Sequence, residues 1–207
     1  MSLVELWDGE QDTTQRINGV VNAIVTQTQD PEKLGRIKVR FPMLGNIETD
    51  WIRICSFFSG PGRGAFFLPA KEDEVLVAFN QGNVNLPYVI GFLWNGVDKP
   101  PVPAKEMQDV REIKTASGQV IRFEEKKNER ITITDKKNNK IVIDTKKGSI
   151  NVSCDKNIDI ISSKGTITLK GSNVKIDAKS SVAISGSKID IKAKGVLTLK
   201  GSRINLN

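Results

Sequence analysis

The chain has 207 residues, 38% hydrophobic and 27% charged, with two cysteines, no histidine and a formal net charge of +7. That length allows one large domain or two small ones, and the lack of histidine removes the commonest general base and the commonest transition-metal ligand. Cys55 and Cys154 lie far apart, so they make neither a disulfide framework nor a tetrahedral zinc site and read as small buried apolar residues.

No apolar run approaches the ~18 residues of a membrane-spanning helix. The opening MSLVELWDGE carries acidic residues where a secretion signal needs a basic region and an apolar core, so assembly in the cytoplasm is expected. Residues 1–16 read as an extension or short helix outside the core, with Leu6 and Trp7 its large apolar residues.

Residues 17–97 read as a compact β domain. Ile17 to Val25 is a first strand region, and Gln27 to Pro31 a loop. Gly35-Arg36-Ile37-Lys38-Val39-Arg40-Phe41 alternates strictly, as a half-buried strand does, and Pro42 ends it. Asp50 to Ile54 alternates again. Ser59-Gly60-Pro61-Gly62-Arg63-Gly64 is a loop rich in turn residues. Val75 to Phe79 is a central strand, and Pro87 to Trp94 the last. Five short strands in this span suit a small closed barrel such as the OB fold.

Residues 98–112, opening with Asp98-Lys99-Pro100-Pro101-Val102-Pro103, form a stiff linker, because proline fixes φ and favours an extended spacer. From there the charge changes. Residues 1–112 hold 11 Lys/Arg and 15 Asp/Glu, a net of −4, whereas residues 113–207 hold 20 and 9, a net of +11. The lysines alternate with apolar positions along the whole region and read as a solvated surface that blunts strand edges.

Residues 113–207 repeat one phrase, an apolar–polar–apolar triplet, beginning with Ile131-Thr132-Ile133 and Ile141-Val142-Ile143. From Ile150-Asn151-Val152 the steps are 8, 9, 7, 8, 7, 8 and 7 residues, ending at Ile204-Asn205-Leu206. Lys164 to Ser172 recurs as Lys194 to Ser202, with seven of nine positions identical at an offset of 30. A period this short holds one strand and one turn, and a triplet offers one apolar face that a single repeat cannot bury. Either one chain coils on itself or three chains wind into a three-sided prism. The repeat runs to Leu206-Asn207 without a polar cap, which favours three chains and a rod of roughly 45–50 Å at one strand spacing per repeat. Its inward residues would be Ile158, Ile160, Ile167, Leu169, Val174, Ile176, Val182, Ile184, Ile189, Ile191, Leu197 and Leu199, each contributing about 1.5–3 kcal/mol when fully buried. The expected fold is therefore all-β, an OB barrel followed by an intertwined trimeric β-helix.

These residues resemble the central spike, or baseplate assembly protein V, family of contractile injection systems, which includes phage tails and tailocins and is related to the type VI secretion spikes (VgrG). Gly35 to Val39 with Phe41-Pro42, Trp51-Ile52-Arg53, Pro69 followed by Asp73-Glu74-Val75-Leu76-Val77-Ala78-Phe79, Pro87 to Asn95, and Lys99-Pro100-Pro101 match the family's barrel phrases. Ile113-Lys114-Thr115-Ala116-Ser117-Gly118 resembles the phrase opening its rod. Glu72 departs from the pattern, standing where the family has glycine.

The resemblance implies a homotrimeric, non-enzymatic spike in a virion tail or injection particle, driven through a target envelope when the sheath contracts, with no cofactor and no metal. No hub domain precedes the barrel in this sequence and no lysozyme domain follows it. A separate trimeric hub protein is thus expected at the barrel, with Leu6, Trp7, Trp51 and Trp94 as contacts. A PAAR-type tip protein is expected on Ile204, Asn205, Leu206 and Asn207. The alternative is an OB-fold nucleic-acid binder with a basic tail, which needs exposed aromatics on a basic face. A third reading, a glycan-cleaving β-helix, would need paired carboxylates such as Asp159 and Asp190 on one face.

Overall fold

The structure, a computed structural model, describes residues 16–205 and is all-β. Residues 16–155 and 156–205 belong to separate compact units.

The first unit opens with β1 (Val20–Gln27), β2 (Lys38–Phe41), β3 (Ile47–Glu48) and β4 (Arg53–Ile54). A short hairpin, β5 (Ser59–Gly60) with β6 (Arg63–Gly64), precedes β7 (Glu74–Phe79) and β8 (Pro87–Leu93). The sheet order is β3-β2-β1-β7-β8-β4. β4 runs parallel to β8, pairing Arg53 with Tyr88 and Ile54 with Val89. Just before β2 and β4, Ile37 and Ile52 form an antiparallel bridge with hydrogen bonds of 3.0 and 2.8 Å. That bridge joins β4 back to β2 and closes a ring of five strands, the OB arrangement.

Period-two alternation fills this ring. Ala23 and Val25 from β1, Val39 from β2, Val75 and Val77 from β7, and Val89 from β8 are fully covered, as is Ile37. Phe41 and Phe79 close one end, with ring centroids 5.8 Å apart. β-Branched residues dominate because they pack well on a pleated surface. Cys55 corrects an expectation: it follows the inward Ile54, so alternation turns it outward and it is exposed, while Cys154 is half-buried.

The β1–β2 connection is rigid for a reason the residue types explain. The Asp30 side chain, only 2% exposed, accepts bonds from the backbone N–H groups of Glu32, Leu34 and Arg36. It also takes a two-pronged contact from Arg36, at 3.0 Å from Nε and 2.8 Å from Nη2. Gly35 sits at φ +73°, and the Phe66 ring lies 3.0 Å from where a Cβ would stand.

After a turn at Ala104–Glu106 come β9 (Val110–Lys114), β10 (Val120–Glu124), β11 (Arg130–Thr134), β12 (Lys140–Asp144) and β13 (Ser149–Ser153). β9 starts three residues inside the expected linker, because Val110 is buried and pairs with Glu124. All five pair antiparallel with their sequence neighbours. This differs from triplets that each advance around a shared prism. The turns reverse the chain instead, using left-handed Gly118, Lys126, Asn138 and Gly148 and the Asp135 carboxylate, which accepts from the backbone N–H groups of Lys137 and Asn139.

The second unit has no strand among the described residues 156–205, and every one of those residues is exposed.

Candidate assembly face

Strand register sorts the side chains of β9–β13 into two contrasting faces. Ile113, Ile121, Ile133, Ile141 and Val152 stand opposite one another in a single ladder across all five strands. Arg111, Phe123, Ile131, Ile143 and Ile150 form a second ladder beside it. Nine of these ten residues are apolar, and in the single chain those nine are 36–70% exposed.

The opposite face mixes Val110, Val120 and Val142 with charged and hydroxyl residues that pair with one another. Arg122 donates to Glu112 at 2.9 Å and also pairs with Glu106. Arg130 pairs with Glu124, and its guanidinium holds the Glu124 carboxyl below the usual carboxylate range. That mixed face thus supplies its own partners, whereas the apolar face has none within its own sheet.

A contiguous apolar face of this size marks an association surface rather than a solvated one. Covering the half of each side chain that remains exposed is worth about 1 kcal/mol apiece. The second unit repeats the asymmetry without a sheet. Ile158, Ile160, Ile167, Leu169, Val174, Ile176, Val182, Ile184, Ile189, Ile191, Leu197 and Leu199, the expected inward residues, are all exposed. Ile204 and Asn205 are exposed too, while Leu206 and Asn207 lie outside the described residues.

The four expected hub contacts do not come together as a set. Leu6 and Trp7 lie outside the described residues. Trp51 lines a groove at the Phe41–Phe79 end of the barrel, beside Tyr88. Trp94, 68% exposed, lines a different groove with Pro100, Pro101 and Phe123, next to the meander. One ring face each of Trp51 and Tyr88 meets a cation: Lys38 Nζ is 5.4 Å from the Trp51 centroid and Arg53 Cζ is 4.8 Å from that of Tyr88.

Residues 21–94 match the type VI secretion system/phage-baseplate injector OB domain. The match covers 74 of the 207 residues, so it is the barrel that is similar to the OB domain of baseplate and type VI spike proteins. The injector barrel is the β1–β8 ring described above. Among its relatives, the type VI secretion system spike protein VgrG5 of Pseudomonas aeruginosa is 28% identical over 129 residues, covering 55% of this chain and 16% of that protein. The actin cross-linking toxin VgrG1 of Vibrio cholerae is 25% identical over 128 residues, covering 58% and 12%. The spike protein VgrG3 of Vibrio cholerae is 24% identical over 124 residues, covering 55% and 12%. The matched stretch is thus a small part of these much longer relatives.

The injector barrel explains the departure at Glu72. Its φ is +73°, the left-handed region that favours the glycine of the family pattern. Two features of the barrel escaped sequence reasoning. One is the Asp30–Arg36 latch, whose only signal is an Asp-Pro turn followed closely by Gly-Arg. The other is the β5–β6 hairpin, where Phe57, Phe58, Phe66 and Phe67 flank the glycine-rich tip and all are exposed. Among the described residues, no group of three His, Cys, Asp or Glu is placed to hold a metal ion, and no helix is long and apolar enough to cross a membrane.

Proposed function

We propose that this chain is a non-enzymatic, homotrimeric spike of a contractile injection machine. The observation that carries the reading is the nine-residue apolar face of β9–β13, which comes after an injector-type barrel in the sequence and before the exposed apolar triplets of residues 158–204. Three copies packing these faces together would give each its missing partner. The triplets, with no strand partners inside their own unit, would pair between copies, turning an exposed segment into a stiff rod. Rigidity under axial load is the mechanism: interchain backbone bonds and a dry core resist buckling. A trimeric hub protein would hold the barrel end, and a PAAR-type protein would cap Ile204 and Asn205. The rod would cross the target envelope when the sheath contracts.

The nucleic-acid reading fares worse. Single-strand binders set their aromatic residues in a basic groove that tracks the phosphates, and here the barrel-bearing residues 1–112 carry a net charge of −4. The glycan-cleaving reading lacks support as well, since Asp190 pairs with Lys188 at 3.0 Å on an exposed surface. The test is genetic and structural together. Particles purified after deletion of this chain should fail to breach target cells, and the wild-type particle should carry three copies at its baseplate tip. Breaching without the chain, or a copy number other than three, would overturn the reading.

A further inference from the structure

An apolar groove of about 540 Å³ lies where the linker meets the meander. Trp94, Pro100, Pro101, Val102, Met107 and Phe123 line it, with Trp94 68% exposed and Met107 and Phe123 each 42% exposed. It also takes in Arg111 and Ile113. Arg111 and Phe123 stand opposite one another in one ladder of the assembly face, and Ile113 belongs to the other. The groove and that face are therefore one continuous apolar surface, of the kind that marks association. A body seated on the ladders at Arg111 and Phe123 reaches into the groove beside Trp94.

Charge identifies that body. Arg111 is the one charged residue in the two ladders. Its Nη1 donates to the backbone carbonyls of Val110 at 2.9 Å and Gln108 at 3.3 Å, which leaves the donors on Nη2 and Nε without a partner among the described residues. Covering a guanidinium is costly unless a carboxylate comes with the cover. The chain carries one at the same end of the face. The Glu125 N–H donates to the Asp109 carbonyl at 2.8 Å, which extends the β9–β10 ladder by one pair and puts Glu125 at its rim, two residues beyond Phe123. Nearby, Asp109 pairs with Lys126 and Glu129 with Lys146, whereas Glu125 has no ion pair and no side-chain hydrogen bond among the described residues. Arg111 and Glu125 of one copy do not pair with each other, so each is left for another copy.

We propose that a neighbouring copy of this chain covers the Trp94 groove and brings its Glu125 carboxylate to Arg111. This rests on the homotrimer reading and deepens it, moving Trp94 from the hub contacts into the interface between copies.

Fluorescence tests it in the full-length chain. With Trp7→Phe and Trp51→Phe, Trp94 is the one remaining tryptophan. In the trimer its emission should be blue-shifted, and its quenching by iodide several-fold weaker, relative to the monomer released by Ile133→Asp. A trimer whose Trp94 is as open as the monomer's would overturn the proposal and leave the homotrimer standing, whereas a monomeric wild-type chain would remove both. Charge reversal supplies a second readout. Arg111→Glu and Glu125→Arg should each raise the dissociation constant of the trimer about tenfold or more, the scale of a lost interfacial charge pair. Mixing isotopically light Arg111→Glu copies with heavy Glu125→Arg copies restores opposite charges across copies only. Native mass spectrometry should then show trimers of mixed composition that outlast, on dilution, those of either variant alone. Mixed trimers no more stable than the pure ones would also overturn it.

Discussion

Ile37 and Ile52 exchange two backbone hydrogen bonds, of 3.0 and 2.8 Å, and so join the last strand of the barrel sheet to the second. Both side chains are buried, so the closure is held by the core as well as by the backbone. Ile37→Ala and Ile52→Ala should each destabilise the barrel by about 2–5 kcal/mol, the range for a large aliphatic truncated in a packed core. Urea denaturation followed by tryptophan fluorescence checks this. A cost below 1 kcal/mol at both sites would mean that the bridge does not close the barrel.

Glu72 sits at φ +73° between a backbone bond to the Val25 carbonyl and an exposed 3.5 Å contact with Arg40. The left-handed conformation costs a non-glycine residue about 1–2 kcal/mol, and an exposed ion pair returns little. Glu72→Gly should therefore raise stability by about 0.5–1 kcal/mol after the entropic cost of glycine. A lower denaturation midpoint in the variant would contradict this.

Asp30 is held far below the usual carboxylate range, chiefly by its hydrogen bonds from the Arg36 guanidinium and also by backbone N–H donors. A carboxyl depressed in the folded state stabilises the fold at pH values above its ordinary range, and that contribution drains away as pH falls below about 4. Wild-type stability should drop between pH 5 and pH 2, and Asp30→Asn should be less stable at pH 7 but show a smaller drop on acidification. Parallel pH profiles of the two proteins would contradict the latch.

Ile133 is about half exposed in the single chain, so an aspartate there costs the isolated sheet little. In a trimer three charges would meet in a dry interface, at several kcal/mol each. Ile133→Asp should dissociate the assembly, while Asn151→Asp on the opposite face should leave it intact. Size-exclusion chromatography separates the outcomes, and an unshifted Ile133→Asp would place the interface elsewhere.

Much of the barrel was legible from alternation and turn residues. Val75 to Phe79 and Pro87 to Trp94 fall within a residue of β7 and β8, because a core-facing period of two leaves little choice of register. Gly35 to Ile37 and Asp50 to Ile52 were read as strand, yet only Ile37 and Ile52 pair there, since the Asp30 latch and the Asp50 turn take the neighbouring backbone groups. The isoleucine ladders were legible as apolar positions but not as a meander. Triplets at ten-residue spacing fit either a chain that advances or one that reverses. The choice rests on left-handed Lys126 and Asn138 in the turns, which composition does not announce. The Asp30 latch joins residues six apart through the Arg36 guanidinium and three backbone donors, and the Asp-Pro and Gly-Arg pairs that bracket it do not by themselves announce the contact.

The claim that three copies share the apolar face of β9–β13 is tested most directly by native mass spectrometry of the intact chain. The expected mass is three times 22.8 kDa, about 68 kDa, persisting on dilution to nanomolar concentration. A single species at 22.8 kDa, with the isoleucine ladders open to solvent, would contradict it.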